Sequence, residues 1–245
     1  MKNDIKISII TICYNARKHI RDTIESVIKQ DYINIEYIII DGDSDDGTKE
    51  IIHEYSDKIS CFISEKDNGI SHAFNKGIDN STGDVLCFLN AGDMFVSNDV
   101  LSGVANDWMD NNVDIIFYQT LMENDLVSPN PRFKDKAEKI WAKLELPHQA
   151  TFVNRKLFME MGSFNIELKI RMDYDFFARC LKKNKSYRYI KRVIVHYDDS
   201  GISSNKKNRV QFIREGIRVQ HFYGMKVDVR DYLRIVKWTL YNLIK

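Results

Sequence analysis

The sequence predicts an α/β protein: a mostly parallel central sheet flanked by helices, closed by a C-terminal helical extension. Two observations carry this reading. In the first third of the chain, short and almost wholly apolar runs alternate with segments whose apolar residues recur at helical spacing, as expected of strands covered on both faces. Acidic and amide residues then recur directly after those apolar runs, and ligands of parallel sheets bind at the carboxyl ends of the strands.

Residues 6–12 read as the first strand, and residues 17–30 as a helix with Ile20, Ile24, Val27 and Ile28 inward. Tyr37-Ile38-Ile39-Ile40 is a short buried strand, followed by a helix after Thr48 with Ile51, Ile52 and Tyr55 inward. Residues 59–63, 71–80 and 85–89 read as strand, helix and strand. Past the strand at 115–118 the alternation weakens: residues 129–133 read as loop, 155–161 and 173–182 as helices, 188–196 as a strand and 198–208 as a polar loop. Two basic helices, 209–222 and 229–244, close the chain. The expected organisation is a catalytic unit over residues 1–208, divided into halves at 120/121, with an extension over 209–245.

The apolar fraction of 44% supports a real core, and 11 Gly and 3 Pro in 245 residues argue against disorder. No run of eighteen apolar residues exists to span a membrane, and the N-terminus lacks the basic start and long apolar region of a signal peptide. Cys13, Cys61, Cys87 and Cys180 are scattered, as reduced thiols are in a cytoplasmic protein. Residues 182–245 hold 16 Lys+Arg against 5 Asp+Glu, leaving 20 against 30 in the rest. An acidic body suits a cation-binding site. A basic tail suits phosphates or anionic lipid, and no recognition motif accompanies it to suggest nucleic acid.

The strand ends read Thr11-Ile12-Cys13-Tyr14-Asn15, Asp41-Gly42-Asp43-Ser44, Ser64-Glu65-Lys66-Asp67-Asn68-Gly69 and Asn90-Ala91-Gly92-Asp93. Any one of these is an ordinary turn. Carboxylates gathered at neighbouring strand ends, however, are costly unless a cation or a donor-rich ligand offsets them. The first strand end contains no glycine, so neither a dinucleotide fingerprint nor a phosphate loop is present.

The segments ISIITICYNA, IIIDGDSDDGT, ISEKDNGISHAFNKGI, TGDVLCFLNAGDMF, HQATFVNRKLFMEMGSFN and MDYDFFARCL, in that order, resemble family 2 glycosyltransferases of the GT-A fold. The resemblance spans residues 6–181 and lies nearest the bacterial branch that builds capsule, O-antigen and exopolysaccharide. It implies a hexosyl- or N-acetylhexosaminyl-transferase taking a nucleotide-sugar donor and a glycan or lipid-diphosphate-linked acceptor. Thr11, Tyr14, Asn15 and Asp41 would then line the base and ribose pocket, joined by Asp67 and Asn75, while Asp45-Asp46 caps the next helix. Where the family carries an Asp-x-Asp motif for Mn²⁺ or Mg²⁺, this chain has Asn90, Gly92 and Asp93, so Asp93 carries the metal and Asn90 is a neutral contact.

By the same resemblance Asp173 is the base that deprotonates the acceptor, and one base with direct displacement implies inversion. A plain helix cap is the other role open to Asp173. His148 would orient a sugar, and His196 would add a metal or diphosphate contact. Ser203, Ser204, Lys206 and Lys207 would close over the diphosphate or form a solvated loop. The last helix mixes Arg230, Arg234 and Lys237 with Tyr232, Leu233, Val236, Trp238 and Leu240, which suits either peripheral membrane contact or packing on the domain. A nucleotidyltransferase and a non-catalytic sugar-nucleotide-binding relative remain the alternatives.

Overall fold

The computed structural model describes residues 5–122, 127–128, 146–198, 201 and 205–244. Its elements are, in chain order, β1 (Ile7–Cys13), α1 (Ile20–Ile28), β2 (Ile35–Asp41), α2 (Thr48–His53), β3 (Cys61–Ser64), α3 (Ile70–Asp79), β4 (Val85–Phe88), β5 (Met94–Phe95), α4 (Val100–Asn111), β6 (Ile115–Met122), β7 (Val127–Ser128), β8 (Thr151–Asn154), α5 (Arg155–Met161), α6 (Met172–Lys182), β9 (Tyr187–Tyr197), α7 (Arg209–Phe222) and α8 (Val229–Ile244). The sheet runs β3-β2-β1-β4-β8-β6-β9-β5, with β7 on β6. Its first four strands are parallel, as expected.

The second half of the sheet is mixed. β8 enters antiparallel between β4 and β6, and β5 pairs antiparallel with β9. Both are too short to carry a readable alternation, and sequence reading passed over them. The loop expected at 129–133 lies outside the described residues, as do Ser203 and Ser204.

Alternate residues of the inner strands enter different cores. Ile9, Ile39 and Cys87 pack with α1 and α4, including Ile24, Val104 and Trp108. Ile10, Ile38, Ile40 and Phe88 pack with Phe74, Phe158 and Phe176. A sheet buried on both faces has no polar side to show, which is why these runs are uniformly apolar.

The amino ends of β1, β2 and β4 meet at Glu36, whose side chain is 9% exposed. Its carboxylate accepts hydrogen bonds from Lys6 Nζ at 2.7 Å, Ser8 Oγ at 2.6 Å and Thr82 N at 2.7 Å. Burial raises the Glu36 carboxyl, but these donors outweigh it and hold the pKa at about 2. A depressed carboxylate contributes stability above its unfolded pKa and loses it as pH falls toward the folded one. Glu36→Gln is therefore expected to lower the unfolding free energy by about 3 kcal/mol at neutral pH. In urea titrations the gap from wild type should close as pH falls from about 4.5 toward 2.

α7 packs on α6, and α8 packs on α7. Ile235, Trp238 and Tyr241 are half-buried, while Val229, Leu233, Val236, Leu240 and Leu243 are 54–77% exposed. The last helix thus packs on the domain and still turns an apolar stripe to solvent. No helix among the described residues is long and apolar enough to cross a membrane.

Candidate active site

The loops after β1 and β2 are locked together. Asn15, at φ 49°, takes Ser44 Oγ on its backbone N–H at 2.8 Å, and its side-chain oxygen accepts Asp45 N at 3.1 Å. The N-cap position of α2 is Gly47, not a residue of the acidic pair expected to cap it; Asp46 instead accepts Thr48 N at 3.0 Å and Thr48 Oγ1 at 2.5 Å beside the helix start. Tyr14 remains 67% exposed. A Cβ on Gly42 would sit 3.3 Å from the Tyr14 ring and 3.5 Å from Asp67 Oδ2, so Gly42 brings ring and carboxylate to one open shelf. Asp67 is held there by Lys76 at 2.8 Å and His72 at 3.2 Å.

Other residues assigned to that pocket face inward. Asp41 is fully buried, and its oxygens accept Ser44 N at 2.9 Å, Ser44 Oγ at 2.5 Å and Ser64 Oγ at 2.7 Å, so it shapes the shelf from beneath. Thr11 is also fully buried and donates to the Leu89 carbonyl at 2.7 Å. Asn75 exchanges two 2.9 Å hydrogen bonds with the backbone of Phe164, tying α3 to the segment before α6.

The end of β4 is pinned by α1. Thr23 Oγ1 donates to Asp93 O and accepts Gly92 N, both at 2.9 Å. From this turn Asn90 Nδ2 meets His148 Nε2 at 3.1 Å, and His148 Nδ1 meets Asp173 Oδ2 at 3.2 Å. With Asn90 Nδ2 as donor, His148 accepts at Nε2 and turns Nδ1 to the Asp173 carboxylate. The side chains of His148 and Asp173 are 24% and 25% exposed, so neither is sealed from solvent. Burial raises the Asp173 carboxyl, but the His148 bond and charge, with Arg171, outweigh it and hold the pKa below the ordinary carboxylate value. Burial lowers His148, and Asp173 more than reverses this by hydrogen bond and charge. Asp173 Oδ1 also accepts Tyr174 N at 2.7 Å from within the first turn of α6, whose N-cap position is Arg171 and makes no side-chain cap, so the capping role open to Asp173 is not the one it plays.

Asp93 is 2% exposed, and burial pushes its carboxyl up to about 7 against the pull of His148. Asp198 reaches the same turn from the end of β9, its N–H on Asp93 Oδ1 at 3.1 Å. A Cβ on Gly92, at φ 107°, would sit 2.5 Å from Asp198 Oδ2, so only glycine leaves room for this carboxylate. Sequence reading missed Asp198, which enters through the antiparallel pairing of β5 with β9. His196 pairs in register with Met94 and lines a cavity of about 290 Å³ with His19, Asp22, Gly92 and Asp198.

Among the described residues no group of three or more His, Cys, Asp or Glu is arranged to hold a metal. Two features nonetheless fit a divalent cation: a buried Asn90 Oδ1 without a hydrogen-bond partner, and the glycine cradle that seats Asp198 against the Asp93 turn. Carboxylate and amide oxygens are the donor type that Mn²⁺ or Mg²⁺ takes.

The family model described as "Glycosyl transferase family 2" matches residues 8–178. The chain belongs to that family. A glycosyltransferase of PGL/p-HBAD biosynthesis from Mycobacterium bovis is 26% identical over 84% of this chain and 82% of its own length. An uncharacterized glycosyltransferase of Rickettsia typhi is 30% identical over 74% and 60%.

Among solved structures, residues 1–349 of Staphylococcus aureus TarS bound to UDP-GlcNAc match this glycosyltransferase with a TM-score of 0.74 at 17% identity, covering 96% of this chain and 72% of that one. Only 39% of another solved TarS chain is covered (TM-score 0.70, 19% identity, 86% of this chain). A Pyrobaculum calidifontis mannosyltransferase bound to GDP-Man and Mn²⁺ matches with a TM-score of 0.69 at 16% identity, over 97% and 69%. The GT-A-like architecture expected from the strand-end motifs is the one these neighbours share.

Proposed function

We propose that this glycosyltransferase inverts the anomeric centre of a nucleotide-sugar, passing a hexosyl or N-acetylhexosaminyl unit to a glycan or lipid-diphosphate-linked acceptor. The observation that carries this is the Asn90–His148–Asp173 chain ending beside Asp93 at the carboxyl end of the parallel strands. Asp173 is ionised and keeps a quarter of its side chain exposed, as a base must to take a proton from an attacking hydroxyl. His148 fixes its orientation, and the nucleobase of the donor would stack on the exposed Tyr14 ring beside Gly42 and Asp67. Asp93 and Asp198, with Asn90 beside them, would hold Mn²⁺ or Mg²⁺, which supplies positive charge to the departing diphosphate. In this reading residues 1–120 hold the donor, residues 121–208 the acceptor, and residues 209–245 extend the catalytic unit.

The experiment is a thermal-stability panel of UDP, GDP, dTDP and CDP with and without Mn²⁺. Stabilisation by one diphosphate supports the reading, and no shift with any removes it. A shift indifferent to Mn²⁺ would favour a metal-independent relative, the reading that Asn90 in place of a carboxylate supports.

The acceptor side belongs to bacterial surface polysaccharide synthesis, such as capsule or lipopolysaccharide, at the cytoplasmic face of the membrane. Support comes from the exposed stripe of α8, flanked by Arg230, Arg234 and Lys237. Removing residues 229–245 is expected to release the protein from sedimented vesicles rich in phosphatidylglycerol, and equal sedimentation without them would reject the contact.

A further inference from the structure

α6 begins at Met172 with no side-chain cap of its own, although its first turn carries Asp173. A carboxylate from α7 instead holds the three residues that lead into the helix. Glu215, 9% exposed, accepts three successive backbone N–H groups: Lys169 at 3.1 Å, Ile170 at 3.0 Å and Arg171 at 2.9 Å. Gln211 Nε2 adds a fourth donor at 2.9 Å. Such charge-assisted bonds are the strong ones, and three consecutive amides on one carboxylate fix the path of the chain into the helix.

Other residues of α7, and Tyr223 directly after it, hold the neighbours of Asp173. Phe212 lies under the Arg171 guanidinium, 4.3 Å from ring centroid to carbon, while the Tyr174 ring takes its other approach at 3.9 Å. Gln220 Nε2 donates to Tyr174 Oη at 3.1 Å, and Tyr223 Oη donates to Asp175 at 3.1 Å. Residues 171 and 174 are thus fastened to α7 and residue 175 to Tyr223 directly after it, while the side chain of Asp173 turns to His148.

We propose that Glu215 is a positioning residue for transfer: by gathering the amides of residues 169–171 it sets where Asp173 stands relative to His148 and the acceptor. This rests on Asp173 being the base. Glu215 touches no substrate and acts through the entry to α6. The helix that sequence composition assigns to a basic extension therefore serves the active site. A misplacement of about 1 Å at a reacting group can cost on the order of 10²-fold in rate.

The test compares Glu215→Gln and Glu215→Ala with wild type, each also made in an Asp173→Asn background. Gln presents an N–H₂ where the wild type has an oxygen, so part of the amide cluster loses its acceptor without loss of volume. Three measurements are made: hydrogen exchange at residues 169–171, affinity for the nucleoside diphosphate that stabilises the wild type, and kcat and KM with the matching nucleotide-sugar. Expected are faster exchange at those amides, diphosphate affinity within about twofold, and kcat lower by about 10²-fold with little change in donor KM. In the Asp173→Asn background the Glu215 change should cost nothing more.

Unchanged exchange, unchanged kcat, or a parallel loss of diphosphate affinity would each overturn the proposal. So would an equal loss in the Asp173→Asn background. If Glu215→Ala does not fold, Glu215→Gln carries the comparison. If Asp173→Asn alone keeps full turnover, the base assignment fails, and that outcome is read independently of either Glu215 variant.

Discussion

Asp173→Asn is expected to lower kcat by about 10³-fold while nucleoside diphosphate affinity stays within about twofold. Asn preserves the size of the side chain and one carbonyl oxygen for Tyr174 N, so the start of α6 should survive. What disappears is the charge that accepts the acceptor proton and that holds His148 above its ordinary pKa. His148 then has no carboxylate partner at Nδ1 and should titrate lower, which NMR of its ring protons would detect. Turnover close to wild type would remove Asp173 from the role of base and leave it a structural residue of the first turn of α6.

Asp93→Ala is expected to abolish the Mn²⁺-dependent part of nucleoside diphosphate stabilisation. With ligand at about 100 times its Kd the whole stabilisation is worth about 2.7 kcal/mol, or roughly 5–10 °C in Tm for a chain of this size, and the Mn²⁺-dependent part is what it loses when Mn²⁺ is left out. Gly92→Ala is expected to act in the same direction through a different cause. Its Cβ would displace the Asp198 carboxylate, and its φ of 107° is one that an alanine adopts only under strain. A Mn²⁺ response that survives both substitutions would place the cation elsewhere.

Parts of this site were legible because they lie next to the element that positions them. Asn90 and Asp93 follow β4 directly, and Tyr14 and Asn15 follow β1, so finding the strands locates the residues. Their orientation was less legible. In a strand buried on both faces, alternation does not say whether a polar residue looks into a pocket, and Thr11 turns out to bond the Leu89 carbonyl inside the sheet. Asn75 sits one residue after the core-facing Phe74, and its amide is committed to a backbone 89 residues away. The roles of Asp173 and His148 came from resemblance to a family. Their mutual contact came from the fold.

The chain by itself determined the kind of elements, the two-faced burial of the first four strands and the gathering of acids at their ends. Those properties follow from periodicity and from turn residues acting over a few positions. Only the tertiary structure decided that Asp198 stands against Asp93 and that Glu215 holds the entry to the helix of Asp173. Asp198 arrives through an antiparallel strand pairing, and Glu215 through a helix packed across 44 residues of chain. Neither pairing is written in local spacing: each is chosen by the burial of apolar faces whose partners are distant in sequence, and the polar contacts are set by that packing.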